Sequence, residues 1–487
     1  MNIVILGTGT AGLTTALILK SINSAISVEV IGSPNIGIVG VGESSTEHFD
    51  NLRSLLGLTL TDIIKGCHAT YKFGVYFEGW SEKGDYIHAL ASKLRDRNPM
   101  SESLETNIML EGLMSTEAHP LEMVDRTTIE PNIRCSLLEQ PSQFHFDTFK
   151  LNEFLINLCE KRGITIHEDD VTPVFDSDGN CSGLVGKSEN VYLGDLYVDA
   201  SGFQRAIVGQ MPEYKWEKDE HLFLDSAIAF QCEHPEQYRC YTTAKRMKCG
   251  WMWRIPTYTR MGNGYAYNSK FTNEEQALDE IEEYLGFRPE VGRRFKFEAG
   301  RLNTFWENNV VAVGLSSHFY EPLEATAIGV GIQQAVLLSK LIHNNDKVNR
   351  TYYNEMNTSM LDQVSLYLQC HYVNVPPDTE FWKYVKNKVE SSPSKELDKL
   401  VKICNSRFPT QEDVGGNTRI NLFGNLNFAQ VLYGLGVLKS EVVRRQFILK
   451  NVNELFEYSL SQAKEKETSN ENNPSHKELI NMINESE

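Results

Sequence analysis

Hydrophobic and polar positions follow two rhythms along this chain. Asn2 to Leu6 is a short β-branched run, the pattern of a strand buried on both faces of a parallel sheet. The segment LTTALILK that follows, Leu13 to Lys20, is helix-compatible, and Ser27 to Ile31 predicts a second strand. Farther on, Tyr71-Lys72-Phe73-Gly74-Val75-Tyr76-Phe77 reads as a strand, and alternation sends Lys72 to the face of Gly74 and Tyr76. Trp251 and Trp253 alternate about Met252 on another predicted strand. The apolar run GVGIQQAVLLSKLI after Ile328 predicts a helix, and residues 346–460 read as helices broken at Val375 to Pro377 and at Pro409. From Ser461 onward, SQAKEKETSNENNPSHKE is poor in apolar residues and predicts a flexible polar tail over 461–487, mobile at least to Ser475. No internal repeat is evident.

A chain of 487 residues with 41% hydrophobic and 23% charged positions is too long for one compact core, so two or three fused lobes are expected. Lys plus Arg is 47 against 65 Asp plus Glu, a formal net charge of -18. Nucleic acids and anionic membranes are bound through basic surfaces, so neither is expected as a partner. The nine cysteines are scattered with no CxxC spacing, which excludes a zinc ribbon or redox pair and fits reduced thiols in a cytoplasmic protein. No metal site is read. The apolar N-terminus lacks a basic n-region, and no run reaches membrane-spanning length.

The strongest local motif is Gly7-Thr8-Gly9-Thr10-Ala11-Gly12, set between the first predicted strand and helix. There the first glycine makes the turn, the second admits a pyrophosphate to backbone amides, and the third lets helix pack on strand. Dinucleotide binding is expected. The acidic residue that usually ends the second strand and grips a ribose is replaced by Gly32, and Glu29 faces the opposite side of that strand. A second glycine-rich loop, Gly37 to Ser45, carries Gly42-Glu43 and suits the long cofactor FAD.

Several blocks then share one resemblance. GVGESS, Asn51-Leu52-Arg53, CHATYKFGVYFEGW (67–80), Phe144-His145-Phe146-Asp147, the Asp195–Phe203 segment, Gly250-Trp251-Met252-Trp253-Arg254-Ile255-Pro256 and the stretch from Val311 through Ile328 occur in order. Together they resemble flavin-dependent halogenases of the tryptophan-halogenase family, over roughly residues 1–345. The resemblance implies an α/β fold: a Rossmann-like FAD lobe of the monooxygenase type, a substrate-side sheet and a C-terminal helical region. It implies a core over 1–345, with the FAD lobe at about 1–80, 145–210 and 300–345 and the substrate-side sheet at about 215–300. A helical substrate-side region at 346–460 would complete the pocket.

The resemblance assigns roles residue by residue. FAD contacts are expected from Gly7, Gly9, Ala11, Gly12, Gly42, Glu43, Val171, Gly314, Leu315 and Ile328. Halide is expected at Thr326 and Ala327, where a helix start offers free backbone amides. The family often has Ser-Thr-Gly where this chain has Ala325-Thr326-Ala327, so halide preference is left open. Lys72 is the implied catalytic lysine, which hydrogen-bonds hypohalous acid or forms a haloamine, and Glu324 the carboxylate that stabilises the arenium intermediate, polarises the electrophile or takes the ring proton. Trp251 and Trp253 are diagnostic of the family and otherwise read as core. Tyr367, His371, Tyr372, Phe381, Trp382 and Phe423 are equally pocket or core.

The expected activity is that of a two-component halogenase acting on an indole- or phenol-like arene, with halide as co-substrate. No separate nicotinamide site is read, so FADH2 would come from a flavin reductase. The alternatives are an FAD-dependent aromatic hydroxylase on the same scaffold, or a flavin-binding protein without catalysis. A homo-oligomer is common for scaffolds of this size.

Overall fold

The computed structural model describes residues 1–37, 43–89, 143–234, 239–416, 420–439, 441–442, 445 and 474–486. In it, four widely separated stretches of chain meet in one six-stranded sheet. Its order is Trp306–Glu307, Val310–Ala312, Leu196–Asp199, Asn2–Leu6, Ser27–Gly32 and Thr165–Glu168. The last five run parallel, and Trp306–Glu307 is an antiparallel edge. Ile3, Val4, Ile5, Val30 and Ile31 are buried, as a sheet covered on both faces requires. Each such side chain contributes roughly 1.5–3 kcal/mol of burial. The helix Thr10–Ile22 is buried without interruption from Gly12 to Leu19, because it packs on both the sheet and the helix Thr326–Leu341. This is the α/β arrangement that the glycine fingerprint predicts.

A second sheet of seven strands runs Arg293–Lys296, Ser226–Cys232, Met261–Tyr267, Gly250–Pro256, Tyr241–Met247, Gly74–Ser81 and Gly84–Ala89. Sequence reasoning drew this sheet over about 215–300. Two of its strands instead come from residues 74–89, joined through a parallel pairing of Gly74–Ser81 with Tyr241–Met247. Alternation separates its faces: Trp251 and Ala266 enter the main core, while Met252, Tyr265 and Phe230 form a smaller core with the helix Glu274–Leu285.

A third, three-stranded sheet matters most for the site. Phe144–Phe146 is its centre, flanked by Glu43–Ser44 and Thr70–Tyr71. The expected single strand through Lys72 is therefore broken. Tyr71 pairs in this small sheet, Gly74 begins the large one, and Lys72 sits at the changeover. Its N–H donates to Gln143 O at 3.0 Å and that of Phe73 to Cys240 O at 2.7 Å. Backbone hydrogen bonding to two partners, not alternation, sets where Lys72 points.

Beyond Leu341 the chain is helical at Lys347–Cys370, Glu380–Ser391, Lys395–Cys404 and Asn425–Gly434. Of the segment expected as a polar tail, residues 474–486 instead hold the helix His476–Glu485. A Ser475–Glu478 capping box starts it, and His476, Leu479 and Ile480 form one buried stripe against the helix Leu60–Cys67. The low average hydrophobicity hid that stripe. Residues 461–473 lie outside the described residues.

Candidate active site

The glycine fingerprint is built from backbone. Gly7 has φ 127°, and a Cβ there would meet Ala200 O at 2.2 Å; a Cβ on Gly12 would meet Gly7 O at 2.0 Å. These two positions are closed by packing. Gly9 differs, since a Cβ there would have nothing within 4 Å. It is the N-cap of Thr10–Ile22 and makes no side-chain cap hydrogen bond. An open approach over uncapped amides at a helix N-terminus fits a pyrophosphate. Ala11 faces Gly314, whose own Cβ would lie 2.5 Å from it, and Gly314 N donates to Gln334 Oε1 at 2.9 Å. Leu315 follows in the 3-10 turn Gly314–Ser316, and Ile328, half-buried, lies in the first turn of Thr326–Leu341.

Glu43 is half-buried, its Oε2 has no hydrogen-bond partner among the described residues, and burial pushes its carboxyl up to about 7. An acceptor left open on the same side chain also fits a cofactor that brings donors. Gly42 lies outside the described residues. At the far end of the cradle, Glu29 is taken by His167 Nε2 at 3.1 Å. Asp169 N donates to Gly32 O at 2.9 Å, and Val171, two residues on, begins the strand Val171–Phe175.

Lys72 and Glu324 line one cavity with His88, Gln143, Phe423 and Asn427. Lys72 is 1% exposed, and its Nζ donates to Ser44 Oγ and Ser45 O, both at 3.3 Å. Burial lowers its pKa from 10.5 to about 8, against the opposing attraction of Glu324. Glu324 is equally buried. His88 Nδ1 meets its two oxygens at 2.9 and 3.0 Å, and Oε1 also receives Tyr367 OH at 3.2 Å and His371 Nε2 at 3.0 Å. Burial alone would raise this carboxyl, but the attraction of His88 and the hydrogen bonds of His371 and His88 hold it well below the usual carboxylate range. Asn427 Nδ2 lies within hydrogen-bond reach of His88 Nε2, at 2.8 Å.

Ala325 joins Glu324 to the helix Thr326–Leu341 in the left-handed region, φ 56° and ψ 40°. That conformation is uncommon for a residue with a Cβ. The helix has neither a side-chain cap nor an acidic first turn, and at its start Thr326 is buried and Ala327 exposed. Uncapped amides without a nearby first-turn carboxylate are the electrostatics an anion needs.

Sequence reasoning missed His88, Asn427 and Gln143, which no local pattern marks. Tyr367 and His371 were placed no closer than pocket or core; their i,i+4 spacing puts both on one helix face, a signal that could have paired them. Phe423 stacks on Tyr367 at 3.9 Å and joins the cavity. Tyr372, Phe381 and Trp382 pack together in the core. Trp251 donates to Glu321 Oε2 at 3.3 Å, an oxygen that Tyr372 OH also reaches, and burial pushes Glu321 up to about 7.

Among the described residues no group of three or more His, Cys, Asp or Glu could hold a metal, and no helix is long and apolar enough to cross a membrane. A family model described as tryptophan halogenase matches residues 2–447. The chain is 28% identical to tryptophan 7-halogenase RebH of Lentzea aerocolonigenes, over 90% of this chain and 90% of that protein. It is 30% identical to tryptophan 6-halogenase SttH of Streptomyces toxytricini, over 80% of this chain and 81% of that protein. Its fold is similar to the solved tryptophan halogenase from Shewanella frigidimarina NCIMB 400, with TM-score 0.83 at 22% identity over 99% of this chain and 97% of that one.

Proposed function

The chain belongs to the tryptophan halogenase family and is a flavin-dependent halogenase, and we propose that it halogenates an electron-rich, indole- or phenol-like arene through Lys72 and Glu324. The observation that carries this reading is that a buried lysine and a buried carboxylate line one cavity. FAD, when bound and reduced by a separate flavin reductase, would supply the dioxygen chemistry that oxidises halide to hypohalous acid. The residues proposed to hold it are Gly7, Gly9, Ala11, Gly12, Glu43, Val171, Gly314, Leu315 and Ile328, with halide at the amides of Thr326 and Ala327.

Lys72, with a pKa of about 8, is mostly an ammonium at pH 7 and donates a hydrogen bond to the oxygen of hypohalous acid. Removal from water strengthens that bond. Glu324 works chiefly by its charge. A carboxylate held so far below its ordinary range is a weak base, so its main task is to stabilise the cationic arenium intermediate. The two histidines and Tyr367 keep the carboxylate ionised and fixed in place. The ring proton, lost as aromaticity returns, joins the oxygen released from the hypohalous acid, which leaves as water.

The test is incubation with FAD, a flavin reductase, NADH and chloride, bromide or iodide against a panel of indoles and phenols. Halogenated arene by mass spectrometry is expected. Hydroxylated arene alone, or peroxide alone with every halide, overturns the proposal.

A further inference from the structure

The cavity at Lys72 and Glu324 is about 20 Å³, and a water needs ~10–15 Å³, so the space between these side chains takes one small molecule. Its polar atoms are unequally satisfied. The two oxygens of Glu324 share the His88 Nδ1 donor, and Oε1 receives two more. Lys72 Nζ has two partners at 3.3 Å, so one of its three N–H donors is uncommitted. Gln143 is 7% exposed, and its Oε1 has no hydrogen-bond partner among the described residues. Its backbone carbonyl accepts the Lys72 N–H at 3.0 Å, which fixes Gln143 directly across from the lysine.

A buried acceptor without a donor is rare and calls for an occupant. The occupant must be small, must offer one O–H or N–H, and must accept from an ammonium. Hypohalous acid, HO–X, has that shape and that inventory.

We propose that Gln143 Oε1 accepts the O–H of hypohalous acid while Lys72 donates to its oxygen, which turns the halogen end toward the arene. This rests on the halogenase reading above and adds a further catalytic residue to it. The transfer itself is balanced: the ring's π electrons form the C–X bond, the O–X pair stays on oxygen, and oxygen leaves as water with the proton the ring gives up. Nothing beyond HO–X and the arene is consumed. With its proton held by Gln143, the oxygen cannot rotate, and the acid is less free to escape.

Gln143→Met tests this, since the side chain keeps its length and loses the acceptor. Three quantities decide: halogenated arene per flavin oxidised, hypohalous acid escaping to a β-diketone scavenger in solution, and Tm. The expected result is a fall of about tenfold in the first, a matching rise in the second, and a Tm equal to or above that of the unaltered protein, because an unpaired buried polar group has been removed. Unchanged coupling of halogen to arene overturns the inference while leaving the halogenase reading intact. A lower Tm or failure to fold overturns it in favour of a structural role. Absence of halogenated arene from the unaltered protein overturns the reading and this inference with it.

Discussion

The glycine cradle and the lysine cavity differ in what they are made of. The cradle is backbone: it comes largely from one contiguous stretch, Gly7 to Gly12, where the turn needs Gly7 and the packing needs Gly12. The cavity is side chains gathered from residues 44–45, 72, 88, 143, 324, 367–371 and 427. A backbone site is fixed by local conformation, so its chemistry is generic and shared by many cofactor-binding proteins. A side-chain site depends on the register of two sheets and on the helices Lys347–Cys370 and Asn425–Gly434, and there the reaction is chosen. Substitutions in the cradle should change cofactor affinity or stability, whereas substitutions in the cavity should change the product.

The sharpest break in that comparison is Lys72→Met. Loss of the buried ammonium should lower carbon–halogen bond formation about 10³-fold or more, with oxidation of reduced flavin still measurable by its absorbance. A lysine whose substitution lowers both equally would instead belong to the cradle.

Lys72 also predicts a signature in stability. Its folded pKa of about 8 lies below the ordinary 10.5, so burying the charged form costs stability in full below pH 8. That cost is relieved as pH rises from 8 to 10.5, by about 3 kcal/mol in all. Denaturant unfolding should show a rise over this window that Lys72→Met lacks. Activity that needs the ammonium should fall through the same pH of about 8.

Glu324→Gln is next. It leaves His88, His371 and Tyr367 around a neutral amide and removes the charge proposed to face the arenium, and about a 10²-fold loss of halogenation is expected. Steady-state rates with a single arene at saturating halide measure it. A loss confined to KM would argue for substrate binding instead.

The smallest effects separate two glycines of one motif. Gly7→Ala forces a Cβ against Ala200 O, where φ 127° already disfavours it, and should cost about 1–3 kcal/mol by thermal unfolding. Gly9→Ala meets nothing within 4 Å and should change stability by less than about 0.5 kcal/mol. Its FAD affinity, read by flavin fluorescence, should still fall about tenfold, because the methyl would occupy the proposed pyrophosphate approach. Equal stability for both variants would refute the division of labour drawn here.

Legibility in the sequence follows the same line. The strand Asn2–Leu6, the helix after it and the parallel α/β fold were readable because period and glycine spacing are local properties. Lys72 and Glu324 stood out through resemblance and not through pattern. Their partners were unreadable for a physical reason: His88 lies 236 residues from Glu324 and Asn427 lies 339 from His88. The break at Lys72 was invisible too, since alternation assumes one continuous strand and two sheets compete for this one. The helix His476–Glu485 shows the opposite error, a composition averaged over a tail concealing one amphipathic turn pattern.

The sequence by itself determined the cofactor-binding turn, the order of its elements and the family, because these rest on residue type at short spacing. Only the tertiary structure decided that Glu324 stays ionised, that Lys72 is shielded from water, and that Gln143 faces it with an open acceptor. Those are electrostatic facts. They depend on which charges and donors share a buried volume, and that is set by packing between segments far apart in the chain.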